Sequence, residues 1–311
     1  MAEQKIVPCI WCGGNADELV AFYLSVFPHS EQRARTYYPT EGLADFQRSM
    51  AGEVLTVDFA IGGLRITALN GGPEFKPTPM LSFIVNFDPS RDTDAEDRLD
   101  KVWKKLSKGG SVLMELGEYP FSKRYGWVQD KFGVSWQLML TDPAGDPRPF
   151  LIPTFMFANE NVNRAAEALD YYTATFAGSR IGNVAHYPAA QGEVAEGAVM
   201  FGEFAVGDQW FAVMDSPERH EFGFNEGVSL QVECADQGEI DMLWGRLSAV
   251  PEAEQCGWCK DKFGVSWQVS PTILNEMMKN GTREQIDRVT QAFLPMKKFD
   301  VAALKRAYEE K

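Results

Sequence analysis

The sequence predicts an α+β protein of two tandem domains, each made of two βαβββ units, with a helical tail at the C-terminus. Three observations lead there. GWVQDKFGVSWQL, from Gly126, returns as GWCKDKFGVSWQV from Gly257, with the eight residues 130–137 repeated letter for letter at 261–268; such self-similarity marks one fold written twice. Strand-like and helix-like periods follow one another in the same order in both copies. Between the copies lies DPAGDPRP, whose Pro, Gly and Asp content is that of a linker.

Residues 5–12 form a short β-rich run that Gly13 and Gly14 break. Asn15 is placed to cap a helix reaching Phe27, with Leu19, Phe22, Tyr23 and Val26 at helical spacing, and Pro28 ends it. Strands are expected around 33–38, at 54–61 and at 64–69, the last two joined by a Gly62-Gly63 hairpin turn.

A second unit opens with LSFIVNF at Leu81. It continues through a helix over 94–108 that gathers Leu99, Val102, Trp103 and Leu106 on one face, and it ends in three strands finishing with SWQLML. The strand after the Lys-Phe-Gly turn alternates. Val134, Trp136 and Leu138 share one face, and Ser135, Gln137 and Met139 the other. The first face packs; the second carries Gln137 either into whatever the sheet encloses or, in a merely structural strand, into solvent.

The pattern then restarts. LIPTFMF answers IVPCIWC, EFAVGDQWFAVMDSP answers DFAIGGLRITALNGGP, SLQVEC answers SFIVNF, and LWGRLS answers VWKKLS. These matches divide the chain into domains over 1–142 and 150–271, a linker over 143–149 and a tail over 272–311. The second copy is trimmed between its last helix and its last hairpin. In the tail, Thr282 with Gln285 spells a capping box, Asp300 starts a last helix, and the expected job is to cover apolar surface or an edge strand.

Composition narrows the function. With 45% hydrophobic and 24% charged residues the 311-residue chain is ordinary globular protein. A net charge of −14 argues against nucleic acid and anionic membranes as partners, since both select a basic face. The opening MAEQKIVPCIW has no apolar run of signal-peptide length, and no window reaches the ~20 apolar residues of a membrane span, so a cytoplasmic setting is expected.

Cys9 with Cys12 and Cys256 with Cys259 have CxxC spacing, which suggests zinc or redox chemistry. Residues three apart in a strand face opposite ways, however, so these cysteines read as small buried thiols. His29, His186 and His220 fall in loop-like text and read as solvated. No GxSxG, HExxH or P-loop pattern occurs.

CIWCGGNADELVAFYLSVFP, LNGGPEFK, and GWCKDKFGVSWQVSP followed by MKKFDVAALKRAYE resemble the PhnB-like branch of the glyoxalase/bleomycin-resistance/dioxygenase (vicinal oxygen chelate) superfamily, also labelled 3-demethylubiquinone methyltransferase-like. The resemblance covers nearly the whole chain. It implies two glyoxalase-like domains, in each of which the two units close into one cup-shaped mixed sheet, paired within one chain; further dimerisation stays open. A methyltransferase would need a doubly wound sheet with a Gly-rich strand-to-helix turn, which the sequence does not suggest.

In the superfamily the cup commonly holds a divalent metal for glyoxalase, dioxygenase or fosfomycin-inactivating chemistry, while other members bind a drug such as bleomycin. Its metal-using members place a His on the first strand, a carboxylate on the fourth, a His on the fifth and a Glu on the last. Those places fall to Pro8, Thr67, Ser82 and Gln137 in the first domain, and to Pro153, Ala212, Ser229 and Gln268 in the second. Proline and alanine offer no donor and glutamine is a poor one. The resemblance therefore implies a small-molecule-binding protein without the superfamily metal or another cofactor, with Thr67, Ser82, Gln137, Ser229 and Gln268 orienting the ligand. The alternatives are a metal-dependent lyase or dioxygenase with non-standard ligands, and a structural or interaction protein whose cups are filled by their own side chains.

Overall fold

The computed structural model describes residues 4–310, apart from 41, 42 and 44 and the side chains of 45–47. The first unit is β1 (Ile6–Cys12), α1 (Ala16–Val26), β2 (Ser30–Tyr37), β3 (Val54–Ile61) and β4 (Leu64–Asn70). The second is β5 (Leu81–Phe87), α2 (Ala95–Leu106), β6 (Ser111–Tyr119), β7 (Ser122–Gln129) and β8 (Ser135–Leu140). The third repeats the first as β9 (Leu151–Phe157), α3 (Ala165–Thr175), β10 (Ser179–His186), β11 (Val199–Val206) and β12 (Gln209–Asp215). The trimmed fourth unit is β13 (Val228–Cys234), α4 (Gln237–Leu247), β14 (Trp258–Lys260) and β15 (Ser266–Pro271). Helices α5 (Thr272–Asn280), α6 (Arg283–Phe293) and α7 (Val301–Glu309) follow.

These strands make two mixed sheets, one of seven strands in the order β14-β15-β13-β1-β4-β3-β2 and one of eight in the order β10-β11-β12-β9-β5-β8-β7-β6. The order corrects one expectation. The two units of a half do not close on each other; the first unit shares a sheet with the fourth, and the second with the third. The seams are antiparallel, with Cys9 opposite Ser229 and Ser82 opposite Thr154.

Within a half the units instead meet through their helix-covered faces. Tyr23 of α1 and Phe27 just beyond it pack on Trp136 of β8 with ring centroids 5.1 and 4.8 Å away. The opening strand of each unit is apolar on its helix face and buried, so it needs a strand neighbour on both sides. The other half of the chain supplies one of them. The halves are thus stitched together inside one chain by two strand seams.

Several local expectations were answered from elsewhere in the chain. Asn15 precedes α1 but makes no side-chain cap; Asn70, at the end of β4, accepts from the Ala16 N–H at 3.0 Å and serves that helix end instead. Asp215 does the same for Ala165 of α3 at 3.2 Å. The Thr282–Gln285 capping box and the Asp300 cap of α7 are present. His186 ends edge strand β10 rather than lying in a loop.

The tail lies along the edge of the seven-stranded sheet, where the N–H groups of Cys256 and Gly257 donate to the carbonyls of Met296 and Lys297 at 2.7 Å. Gly257 has φ +81, and a Cβ there would sit 2.3 Å from the Phe299 ring, so only glycine admits this approach. No helix among the described residues is long and apolar enough to cross a membrane.

Candidate functional site

The repeated DKFGVSWQ motif is first a fastening. Asp130 is buried where the turn closes. Its Oδ1 accepts from the N–H groups of Phe132 and Val134, and its Oδ2 accepts from Trp136 Nε1 at 2.8 Å and Tyr23 Oη at 2.7 Å. Asp261 repeats the set with Phe263, Val265, Trp267 and Tyr172. Burial lifts both carboxyl groups above their ordinary value, Asp261 to about 6, while the four donors pull the other way.

One strand position further on, the motif's glutamines point to the opposite face, the inside of each cup. In the first cup, on the seven-stranded sheet, Cys9 sits opposite both Thr67 and Ser229, so these three share the floor. Gln268 Nε2 donates to Ser229 Oγ at 3.0 Å, and Thr67 Oγ1 donates to Asp58 Oδ1 at 2.7 Å. Trp11, Trp258 and Phe75 stand along the wall, with Trp11 edge-on to Phe75 at 5.0 Å and to Trp258 at 5.9 Å. At one end Arg65 pairs with Glu233 at 2.6 Å, and along the edge Lys260 pairs with Glu226 at 2.9 Å.

The second cup, on the eight-stranded sheet, has the same floor plan and a different filling. Thr154 lies opposite Ser82 and Ala212. Gln137 Nε2 donates to Ser82 Oγ at 2.9 Å and its Oε1 accepts from Tyr125 Oη at 2.8 Å; Trp127 Nε1 donates to Ser135 Oγ at 2.6 Å. Ile84, Ile152 and Ala212 cluster with Met139, Phe201 and Trp210, and Met80 and Met156 with Trp127, Phe222 and Phe224. Glu203, opposite Ala212, pairs with Arg148.

The five ligand-binding candidates therefore do not form the expected groups. Thr67, Ser229 and Gln268 meet in one cup, and Ser82 and Gln137 in the other. The first-strand place also shifts by one residue. Pro8 shares a face with Ile6 and Ile10, which lie in the core under the helices, and Pro153 sits opposite Phe83 of the same core. Cys9 and Thr154 take the place inside the cups, since one step along a strand reverses the face. Asp58 and Glu203 were not singled out from the sequence, although DFAIGG and EFAVGD set a carboxylate at the same point of both first units.

Neither floor suits a divalent ion. The second offers hydroxyls, an amide and a carboxylate already held by an arginine. The first offers only Cys9 and Asp58, and Asp58 already accepts from the Thr67 hydroxyl. Among the described residues no group of three or more His, Cys, Asp or Glu side chains is placed to hold a metal.

The family model described as 3-demethylubiquinone-9 3-methyltransferase matches twice, at residues 4–139 and 150–270. The chain belongs to that family. One similar solved structure is a PhnB protein from Bacillus cereus carrying the same description, 34% identical, spanning 44% of this chain and all of that one, TM-score 0.38. A Pseudomonas aeruginosa protein is 22% identical over 45% of this chain and 98% of its own, TM-score 0.37. A glyoxalase I variant from Zea mays aligns over 89% of this chain and 96% of its own at 11% identity, TM-score 0.52, which shows the shared two-sheet fold. None of the curated proteins matches the chain significantly.

The methyl transfer in the family's description has no counterpart in the geometry of this PhnB-like chain. The turn at Gly13, where a strand runs into a helix, is covered by the chain at Gly72 and Pro73, 3.7 and 3.9 Å from where a Cβ would stand. The sheet beside it is mixed, with β1 antiparallel to β13.

Proposed function

We propose that this PhnB-like protein binds a small molecule in its first cup without a divalent metal, and that its second cup is a filled structural counterpart. One contrast carries the reading. In the second cup Ala212 is 0% exposed, Gln137 2% and Glu203 5%, whereas Thr67, Gln268 and Asp58 at the same places of the first cup are only partly buried; the remaining pair of places, Ser82 and Thr154 in one cup and Ser229 and Cys9 in the other, is buried in both. Polar groups half open to solvent between aromatic walls are what orients a small polar ligand. Trp11 and Trp258 supply flat apolar surface; Thr67, Asp58 and Gln268 supply directional contacts, with the buried Ser229 hydroxyl orienting the Gln268 amide. A cytoplasmic setting belongs to the same proposal, and the free thiols suit a reducing compartment.

A ligand-observed NMR fragment screen, read together with elemental analysis of the purified protein, tests this. Hits are expected to lose binding in Gln268→Leu and Trp258→Ala and to keep it in Ser82→Ala. Hits indifferent to the first-cup substitutions would sink the reading. Stoichiometric Zn, Fe, Mn or Ni would move the protein to a metal-dependent lyase or dioxygenase with non-standard ligands.

A further inference from the structure

The geometry points to a guanidinium-binding site in the second cup, one for which the linker residue Arg148 is the resident ligand. Three neighbouring strands build it without help from the linker. Glu203 on β11 faces into the cup opposite Ala212. Trp210 on β12 presents its ring. Gly182 on β10 leaves the gap between them, because a Cβ there would come within 2.6 Å of the Trp210 ring and 3.1 Å of Glu203. Into this frame Arg148 delivers two parallel hydrogen bonds, Nε to Oε1 at 3.0 Å and Nη2 to Oε2 at 2.9 Å, with its guanidinium carbon 4.3 Å from the ring centroid of Trp210. Arg180 approaches the same ring at 5.0 Å.

The Arg148 and Glu203 side chains are 13% and 7% exposed, yet residues 142–147 leading to them are exposed. A buried fork on a carboxylate over an aromatic face is how proteins recognise guanidinium compounds. Here the compound is tethered. Arg148 stands three residues before β9. The first cup's carboxylate instead takes the Thr67 hydroxyl.

The test is rescue in trans. The full-length Arg148→Ala protein is titrated with millimolar methylguanidinium, against methylammonium and sodium chloride at equal ionic strength, and its melting temperature is followed. A saturable rise of roughly 2–4 °C with methylguanidinium alone is expected, with no rise in the wild type, whose site is filled, nor in Arg148→Ala/Glu203→Gln. No saturable shift in Arg148→Ala, or an equal one in the wild type, overturns the proposal. Should Arg148→Ala fail to fold, the wild-type Arg148 Nε–H resonance decides: slow solvent exchange supports the site, and exchange as fast as that of surface arginines removes it.

Discussion

Tyr23 and Asp130 are 107 residues apart in the chain and joined by a 2.7 Å hydrogen bond, and the other half answers with Tyr172 and Asp261 at 2.8 Å. Each bond ties the helix of one unit to the last hairpin of the next, beneath the sheets that cross between halves. The stretch repeated letter for letter is therefore a clamp. Replacing Asp261 with Ala leaves a phenol, an indole N–H and two backbone N–H groups buried without an acceptor, at a cost of about 3–5 kcal/mol. Tyr172→Phe removes one donor and should cost about 1 kcal/mol. Urea unfolding measures both, and an Asp261→Ala change below that of Tyr172→Phe would contradict the clamp.

The same carboxylate sets a pH dependence. Burial raises Asp261 from its ordinary 3.8 to about 6, so the folded state holds its proton more tightly than the unfolded state. The stabilisation from that proton is complete below the unfolded value and is lost as pH rises through about 6. Asn cannot titrate. The stability gap between wild type and Asp261→Asn should therefore widen, by at most about 3 kcal/mol, as pH falls from 7 to 4. A gap that stays constant or narrows over that range is the contrary result.

How far the sequence was legible depends on the range of the interaction. Strands such as LSFIVNF and the box at Thr282–Gln285 are decided by neighbours, and they fall where their periods and caps put them. The crossing of units between sheets is not local. Alternation says which face of β1 is apolar, but that face is buried equally well whichever half supplies β13. Pro8 and Cys9 show how narrow the margin is, since one step of register trades a core residue for a residue of the cup. Asn70 reaches Ala16 across 54 residues, where the nearby Asn15 made the simpler cap. The filling of the second cup depends on Tyr125 and Arg148, whose side chains enter from a hairpin and a linker that the floor residues do not announce.

The two glutamines should accordingly behave differently on substitution. Gln137 is fully paired in the filled cup, and Gln137→Leu strands the Tyr125 and Ser82 hydroxyls, costing about 1–3 kcal/mol of stability with no effect on first-cup ligands. Gln268 is partly open and its loss strands one buried hydroxyl, that of Ser229, rather than two, so Gln268→Leu should cost about 1 kcal/mol, less than Gln137→Leu, while weakening those ligands by roughly tenfold or more. Thermal unfolding and titration of a screening hit separate the two, and equal behaviour would erase the distinction between cups.

The tail offers a last check. Gly257 holds φ +81 against the Phe299 ring, and its N–H pairs with Lys297 beside the Cys256–Met296 bond, so the chain of the tail is laid against the hairpin here. Alanine there meets both a strained backbone and a ring 2.3 Å from its Cβ. About 1–3 kcal/mol of backbone strain, plus the displaced ring, falls on a local contact rather than on the buried clamps. Gly257→Ala should therefore loosen residues 296–299 before the sheets respond. Limited trypsin digestion would read this as faster cutting at Lys297 and Lys298 while cleavage at Lys131 and Lys262, beside the clamps, stays at the wild-type rate. Uniform acceleration at all four sites would show instead that the tail is an integral part of the sheet it borders.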